Sequence, residues 1–166
     1  MDHDSQLKHL TVLYWLDRSD HAAVVAWAER EYSTNPDPHP LLTDIFARQT
    51  DVGKLLTEIA AERLSFDPTS EDGESFARSI LATQLRRFIA REISPHDVCK
   101  IICLIEGRYL GARSTGDESV YYYPMWLGDL WNACDWCDET WTHNSAGYLE
   151  TEAQTVLDSL EADDGG

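Results

Sequence analysis

Apolar residues recur along this chain mostly at helical spacing, and no stretch alternates apolar and polar residues as a half-buried strand would. Leu7, Leu10, Leu13 and Tyr14 mark a helix over Gln6–Leu16. Ser19 or Asp20 is a natural cap for a second helix, HAAVVAWAEREY, running to about Tyr32. Pro36, Pro38 and Pro40 exclude helix from 35–40, because each removes a donor and fixes φ. Leu41–Gln49 then reads as a short helix. Thr50 is the expected cap of the next, Asp51 to about Leu64, with Val52, Leu55, Leu56 and Ile59 at helical spacing. A loop is expected over Phe66–Gly73. A long helix is expected over Glu74–Glu92, with Phe76, Ile80, Leu81, Leu85, Phe88 and Ile89 inward.

Ser94-Pro95-His96-Asp97 combines a cap, a proline at the first helical position and an acid three residues after the cap. It opens a helix expected to run to Leu110. Gly111–Ser119 reads as loop, and Val120–Tyr123 as extended, since Pro124 disfavours α geometry at its predecessor. Pro124 then opens a helix expected to reach about Trp141, and a last helix covers about Ala146–Leu160. The expectation is an all-α fold: one single-domain bundle of about seven or eight helices over residues 1–166, with flexible ends at about 1–4 and 161–166.

Composition narrows the function. A chain of 166 residues, 43% hydrophobic, can bury a core and is not a disordered tail. No run approaches the ~20 apolar residues of a membrane span, and MDHDSQLKHL lacks the basic and apolar regions of a signal peptide. A cytoplasmic protein with reduced thiols is expected. The net charge of −17 is uneven: residues 101–166 hold 13 acids against Arg108 and Arg113 alone. Such a surface repels nucleic acid, whose phosphates need Lys and Arg, and suits a basic protein partner.

Four of the six tryptophans fall within that acidic third, in PMWLGDLWNACDWCDETW. On a helical wheel, Trp126, Leu127, Leu130, Trp131, Cys134, Cys137 and Trp141 share one face, expected to be core. Asp129, Asn132, Asp135 and Glu139 share the other, around Trp136. An aromatic amid acids is either shielded by a neighbouring loop or an interface anchor. Asp138 falls on the apolar face, where a carboxylate needs a partner; Arg86, Arg87 and Arg91 are the expected source.

Cys99, Cys103, Cys134 and Cys137 could in principle hold zinc. Both pairs read as lying within helices among apolar residues, without the Gly-containing turn of a zinc knuckle, so buried free thiols are expected and no metal. The six histidines are scattered, and no HExxH, GxSxG or phosphate-binding Gly loop appears. Nothing in the sequence asks for catalysis or a cofactor.

LRRFIAREISPHDVCKIICLIE, followed by YYYPMWLGDLWNACDWCDETW, resembles a pattern in small bacterial immunity proteins of polymorphic toxin, or contact-dependent inhibition, systems. The resemblance covers roughly Leu85–Trp141. It implies no catalysis; it implies binding to a cognate toxin, often a nuclease, so as to cover its active site or substrate path. The expected partner face comprises Asp129, Asn132, Asp135, Trp136 and Glu139, extended through Asp117, Glu118, Tyr121, Tyr122 and Tyr123. The competing readings are a non-catalytic acidic adaptor for another basic protein, and a zinc protein with four cysteine ligands.

Overall fold

The computed structural model describes residues 2–18, 20–47, 51–113 and 122–163. These form an all-α fold of eight helices, with no strand among the described residues. Contacts gather into two compact units, Met1–Ala77 and Arg78–Gly166.

The first unit contains α1 (His3–Trp15), α2 (His21–Thr34), α3 (Leu42–Ala47), α4 (Val52–Leu64) and the start of α5 (Glu71–Ile89). Short acids set the helix starts. Asp2 accepts the Ser5 N–H at 2.7 Å, and Asp20 accepts the Ala23 N–H at 3.0 Å. Each satisfies a donor the first turn leaves orphaned. Asp51, not Thr50, caps α4, through the Gly53 N–H at 3.0 Å; Thr50 and Ser19 lie outside the described residues. His3 and Asp4, expected to be loose, already belong to α1.

Leu7, Leu10 and Val12 of α1 are buried, as are Leu55, Leu56 and Ile59 of α4, and these two helices pack together. Trp27 of α2 and Leu42 and Ile45 of α3 are also fully buried. Two carboxylates of this unit are buried, Glu31 and Glu74, and Glu31 is held at both of its oxygens. Arg63 Nη1 lies 2.6 Å from one oxygen, which also accepts the Asn35 amide at 2.7 Å, and His3 stands 3.4 Å from the other.

Helix α5 begins three residues before the expected Glu74. Ser70 caps it, its Oγ accepting the Gly73 N–H at 3.1 Å. Gly73 sits so tightly on Pro68 that a Cβ there would fall 2.2 Å from the Pro68 carbonyl oxygen. The helix ends at Ile89 rather than Glu92, because Arg91 takes a positive φ of 61°.

The second unit continues with α6 (Pro95–Arg113), a 3₁₀ turn (Met125–Leu127), α7 (Leu130–Cys134) and α8 (Gly147–Asp163). The Ser94 signal works as the sequence implies. Its Oγ accepts the Asp97 N–H at 3.1 Å and donates to the Asp97 carboxylate at 2.8 Å. Val98, Ile101, Ile102, Ile105 and Tyr109 line the buried side of α6. Helix α7 packs on both α6 and α8, where Leu149, Ala153 and Val156 are buried. His143 fixes the approach to α8: its ring stacks on Phe88 at 5.0 Å, with its nitrogens near Glu150 (3.0 Å) and the Ile93 carbonyl (3.1 Å). At the C-terminal end Glu161, expected to fray, is helical and pairs with Arg86 at 2.9 Å.

The expected 18-residue helix from Pro124 to Trp141 does not form. Gly128 has φ 55° and separates the 3₁₀ turn from the five-residue α7. Beyond Cys134 the backbone turns, with the Cys137 N–H donating to the Cys134 carbonyl at 2.9 Å and the Trp141 N–H to the Asp138 carbonyl at 3.2 Å. The cause is local chemistry that apolar spacing does not register. Gly128 supplies the positive φ, and Asp138 accepts the Thr140 N–H at 2.7 Å, offering the chain an alternative to helix.

Candidate acidic aromatic face

Without that helix the wheel no longer says which side chains are buried. Trp126 and Trp141 are only half-buried, and Trp131 is exposed, so none of the three is a core residue. The Arg78 guanidinium lies over the Trp126 ring, 5.5 Å from its centroid. Trp136 is 81% exposed on the Cys134–Cys137 turn, with Asp135 before it and Asp138 and Glu139 after it, all exposed. The sheltering-loop alternative therefore does not describe it.

Asp138 is not the buried member of an arginine pair. It is exposed and takes the Thr140 N–H and hydroxyl, which hold its carboxyl below the usual carboxylate range. The three arginines pair elsewhere: Arg86 with Glu161, Arg87 with Glu92 and Arg91 with Glu150.

The expected face residues divide into two groups. Asp129 accepts hydrogen bonds from the Tyr148 hydroxyl and the Asn132 amide, both short. Tyr148 and then Asn132 hold its carboxyl below the usual range, and the Tyr148 phenol is pushed up to about 12 by the same contact. Tyr123 joins them from before the 3₁₀ turn, donating to the Gly128 carbonyl at 3.1 Å. Burial, helped by Glu106 and Asp129, raises its phenol. Asp135, Trp136 and Glu139 form the second group, with His96 4.0 Å from Glu139. Tyr122 is half-buried. Asp117, Glu118 and Tyr121 lie outside the described residues.

Two side chains of this region escaped sequence reasoning. Tyr148, 56% exposed, reaches Asp129 across 19 residues of sequence, and no periodicity signals that contact. Met125, 81% exposed, sits in the 3₁₀ turn that a helical reading erases. From residue 122 to 163 there are nine acids and no Lys or Arg, so negative potential here has no neutralising base within the segment.

The four cysteines are not alike. Cys99 and Cys134 are buried, Cys137 is half-exposed and Cys103 is exposed, correcting the expectation that all four are core thiols. Cys99 lies against Cys134 and Cys137. Contact with Cys134 and burial push the Cys99 thiol far up; burial and Cys99 push Cys137 up to about 12. Among the described residues no group of three or more His, Cys, Asp or Glu side chains is set to hold a metal ion. Nor is any described helix long and apolar enough to cross a membrane.

No known family, curated protein or solved structure matches the chain. The resemblance to immunity proteins thus rests on the residues quoted for it.

Proposed function

We propose that this protein is a non-catalytic, stoichiometric inhibitor: an immunity protein that binds a basic toxin, a nuclease in the leading case, in the cytoplasm. The observation that carries the reading is the 81% exposure of Trp136 on a turn flanked by Asp135, Asp138 and Glu139. Exposing a tryptophan in water forgoes the roughly 1.5–3 kcal/mol that burying a large apolar side chain gives. Placed amid carboxylates it suits a partner that presents cations, because guanidinium and ammonium groups bind both carboxylates and aromatic faces.

A nuclease must be basic where it meets phosphate. Carboxylates presented to that surface steer encounter and raise the association rate above the ~10⁵–10⁶ M⁻¹s⁻¹ of uncharged pairs. Desolvated aromatic anchors then slow dissociation. Trp136 is the anchor in this account, with Asp135 and Glu139 beside it. Asp129, held in place by Tyr148 and Asn132, forms the second acidic group.

The test is to co-express the chain with the product of the gene immediately upstream and purify by a tag on one partner. A 1:1 complex in which the toxin loses activity supports inhibition. A free toxin with undiminished activity beside the folded chain overturns it. A complex with a basic protein whose activity is unaffected favours the adaptor reading instead.

A further inference from the structure

Asp129 precedes α7 and follows Gly128, whose φ of 55° ends the 3₁₀ turn. A Cβ at Gly128 would fall 2.9 Å from Val156, so this stretch lies directly on α8. Leu127, Leu130 and Leu149 are fully buried. Packing therefore fixes the backbone that carries Asp129, as a binding group requires.

The carboxylate itself is held on both oxygens. Oδ1 accepts the Asn132 amide and Oδ2 the Tyr148 hydroxyl, both at the surface. An ionised carboxylate offers about four acceptor positions, two on each oxygen. One donor on each oxygen leaves one position open on each. Two open acceptors side by side match the paired N–H groups of a guanidinium, whereas an ammonium acts as a point charge. Tyr148, 56% exposed, also sets an aromatic ring beside the carboxylate, and a guanidinium stacks on such a ring. Met125, 81% exposed, and Trp131, 40% exposed, lie four residues before Asp129 and two after it. They offer apolar surface to the methylenes of a long side chain. The fold does not need this arrangement: α7 and α8 already pack with Leu130 and Leu149 buried, and a surface hydrogen bond adds little to that.

We propose that Asp129, Tyr148 and Asn132 form an arginine receptor, which takes one arginine side chain of the basic partner as a bidentate pair with the Asp129 carboxylate. Charge complementarity selects that occupant, since residues 122–163 hold nine acids and no Lys or Arg. The identity of the protein that supplies the arginine rests on the proposed function; the chemistry of the receptor does not.

The probes are two peptides of equal length and charge, one alternating glycine with arginine and the other glycine with lysine. Each is titrated into the full chain at low ionic strength, and resonances of residues 129–132 and 148 report the site. The arginine peptide should bind there about 5-fold more tightly or better. Asp129→Asn should bring the ratio to about 1. Tyr148→Phe keeps the ring but frees one oxygen, and should cut the preference to about half or less. Trp136→Ala should leave the ratio unchanged, because Trp136 belongs to the other acidic group. Thermal midpoints should stay within about 3 °C of wild type, so that a lost preference reads as a lost site. Should Asp129→Asn unfold, Tyr148→Phe carries the test. Equal binding of the two peptides, or a preference that survives these changes, would overturn the proposal.

With the upstream gene product, Asp129→Asn should raise Kd about 10-fold or more. If Trp136→Ala weakens that complex and Asp129→Asn does not, arginine docking is wrong and the partner reading stands. If neither weakens it, the partner face itself is misplaced and the docking proposal falls with it.

Discussion

Arg63→Ala should cost the first unit far more than the loss of an ordinary surface ion pair. Arg63 donates to Glu31 at 2.6 Å, and the Glu31 side chain is 4% exposed. Removing the guanidinium strands a buried carboxylate with the Asn35 amide and His3 as its remaining partners. Breaking a buried pair from one side costs ~3–5 kcal/mol. Arg63 is itself 26% exposed, so water offsets part of that, and ~2–4 kcal/mol is the expectation. Lys8→Ala is the control. Its pair with Asp72 spans the same 2.6 Å, but Asp72 is 53% exposed, so ~1 kcal/mol or less should be lost. The assay is denaturant unfolding at pH 7, with amide exchange in α1 and α4 as the local readout. Equal, small losses in both variants would refute the claim that burial rather than distance sets the magnitude.

The same site predicts a pH dependence. Burial works to raise the Glu31 carboxyl, but the Asn35 hydrogen bond and the charge and hydrogen bond of Arg63, with His3, outweigh it and hold the group below its ordinary value of 4.5. A depressed carboxyl contributes stability that is present above the unfolded value and lost as pH falls through the folded one. Acid titration of stability should therefore steepen below about pH 4.5; Glu31→Gln should flatten that limb, and an unchanged limb would contradict the assignment. Gly73→Ala should destabilise by ~2 kcal/mol or more, because a Cβ would meet the Pro68 backbone at 2.2–2.7 Å; a neutral result in thermal unfolding would show the loop yields freely. A thiol reagent on the native reduced protein should modify Cys103 first and Cys137 more slowly, with Cys99 and Cys134 reacting on unfolding. Rapid labelling of all four would mean that the contact between α6 and α7 opens readily.

Where local chemistry and apolar period agree, the fold is legible in the sequence. Ser94-Pro95-x-Asp97 reads directly as a capping box, and the three prolines of 35–40 end α2 as they must. Where they disagree, period misleads. Trp126, Leu130, Trp131, Cys134 and Cys137 recur at helical spacing, yet Gly128 and Asp138 interrupt the helix that spacing implies. Trp136 was singled out as an aromatic among acids by a wheel that does not exist. It emerges exposed because the chain turns there, not because a helix has an acidic side. The Asp129–Tyr148 contact was invisible because it joins α8 to the start of α7, and only tertiary packing brings them together. The start of α5 was misplaced because Gly73 reads as loop, when it is the one residue small enough to enter the first turn against Pro68.

The central claim is that exposed Trp136, among its acids, anchors a basic partner. The most direct test is the affinity of the wild-type and Trp136→Ala proteins for the upstream gene product, at physiological ionic strength. A Trp at the centre of an interface contributes ~2 kcal/mol or more, so Kd should rise about 30-fold or beyond while the thermal midpoint stays put. An unchanged Kd with the fold intact would contradict the account and place the partner face elsewhere on the molecule.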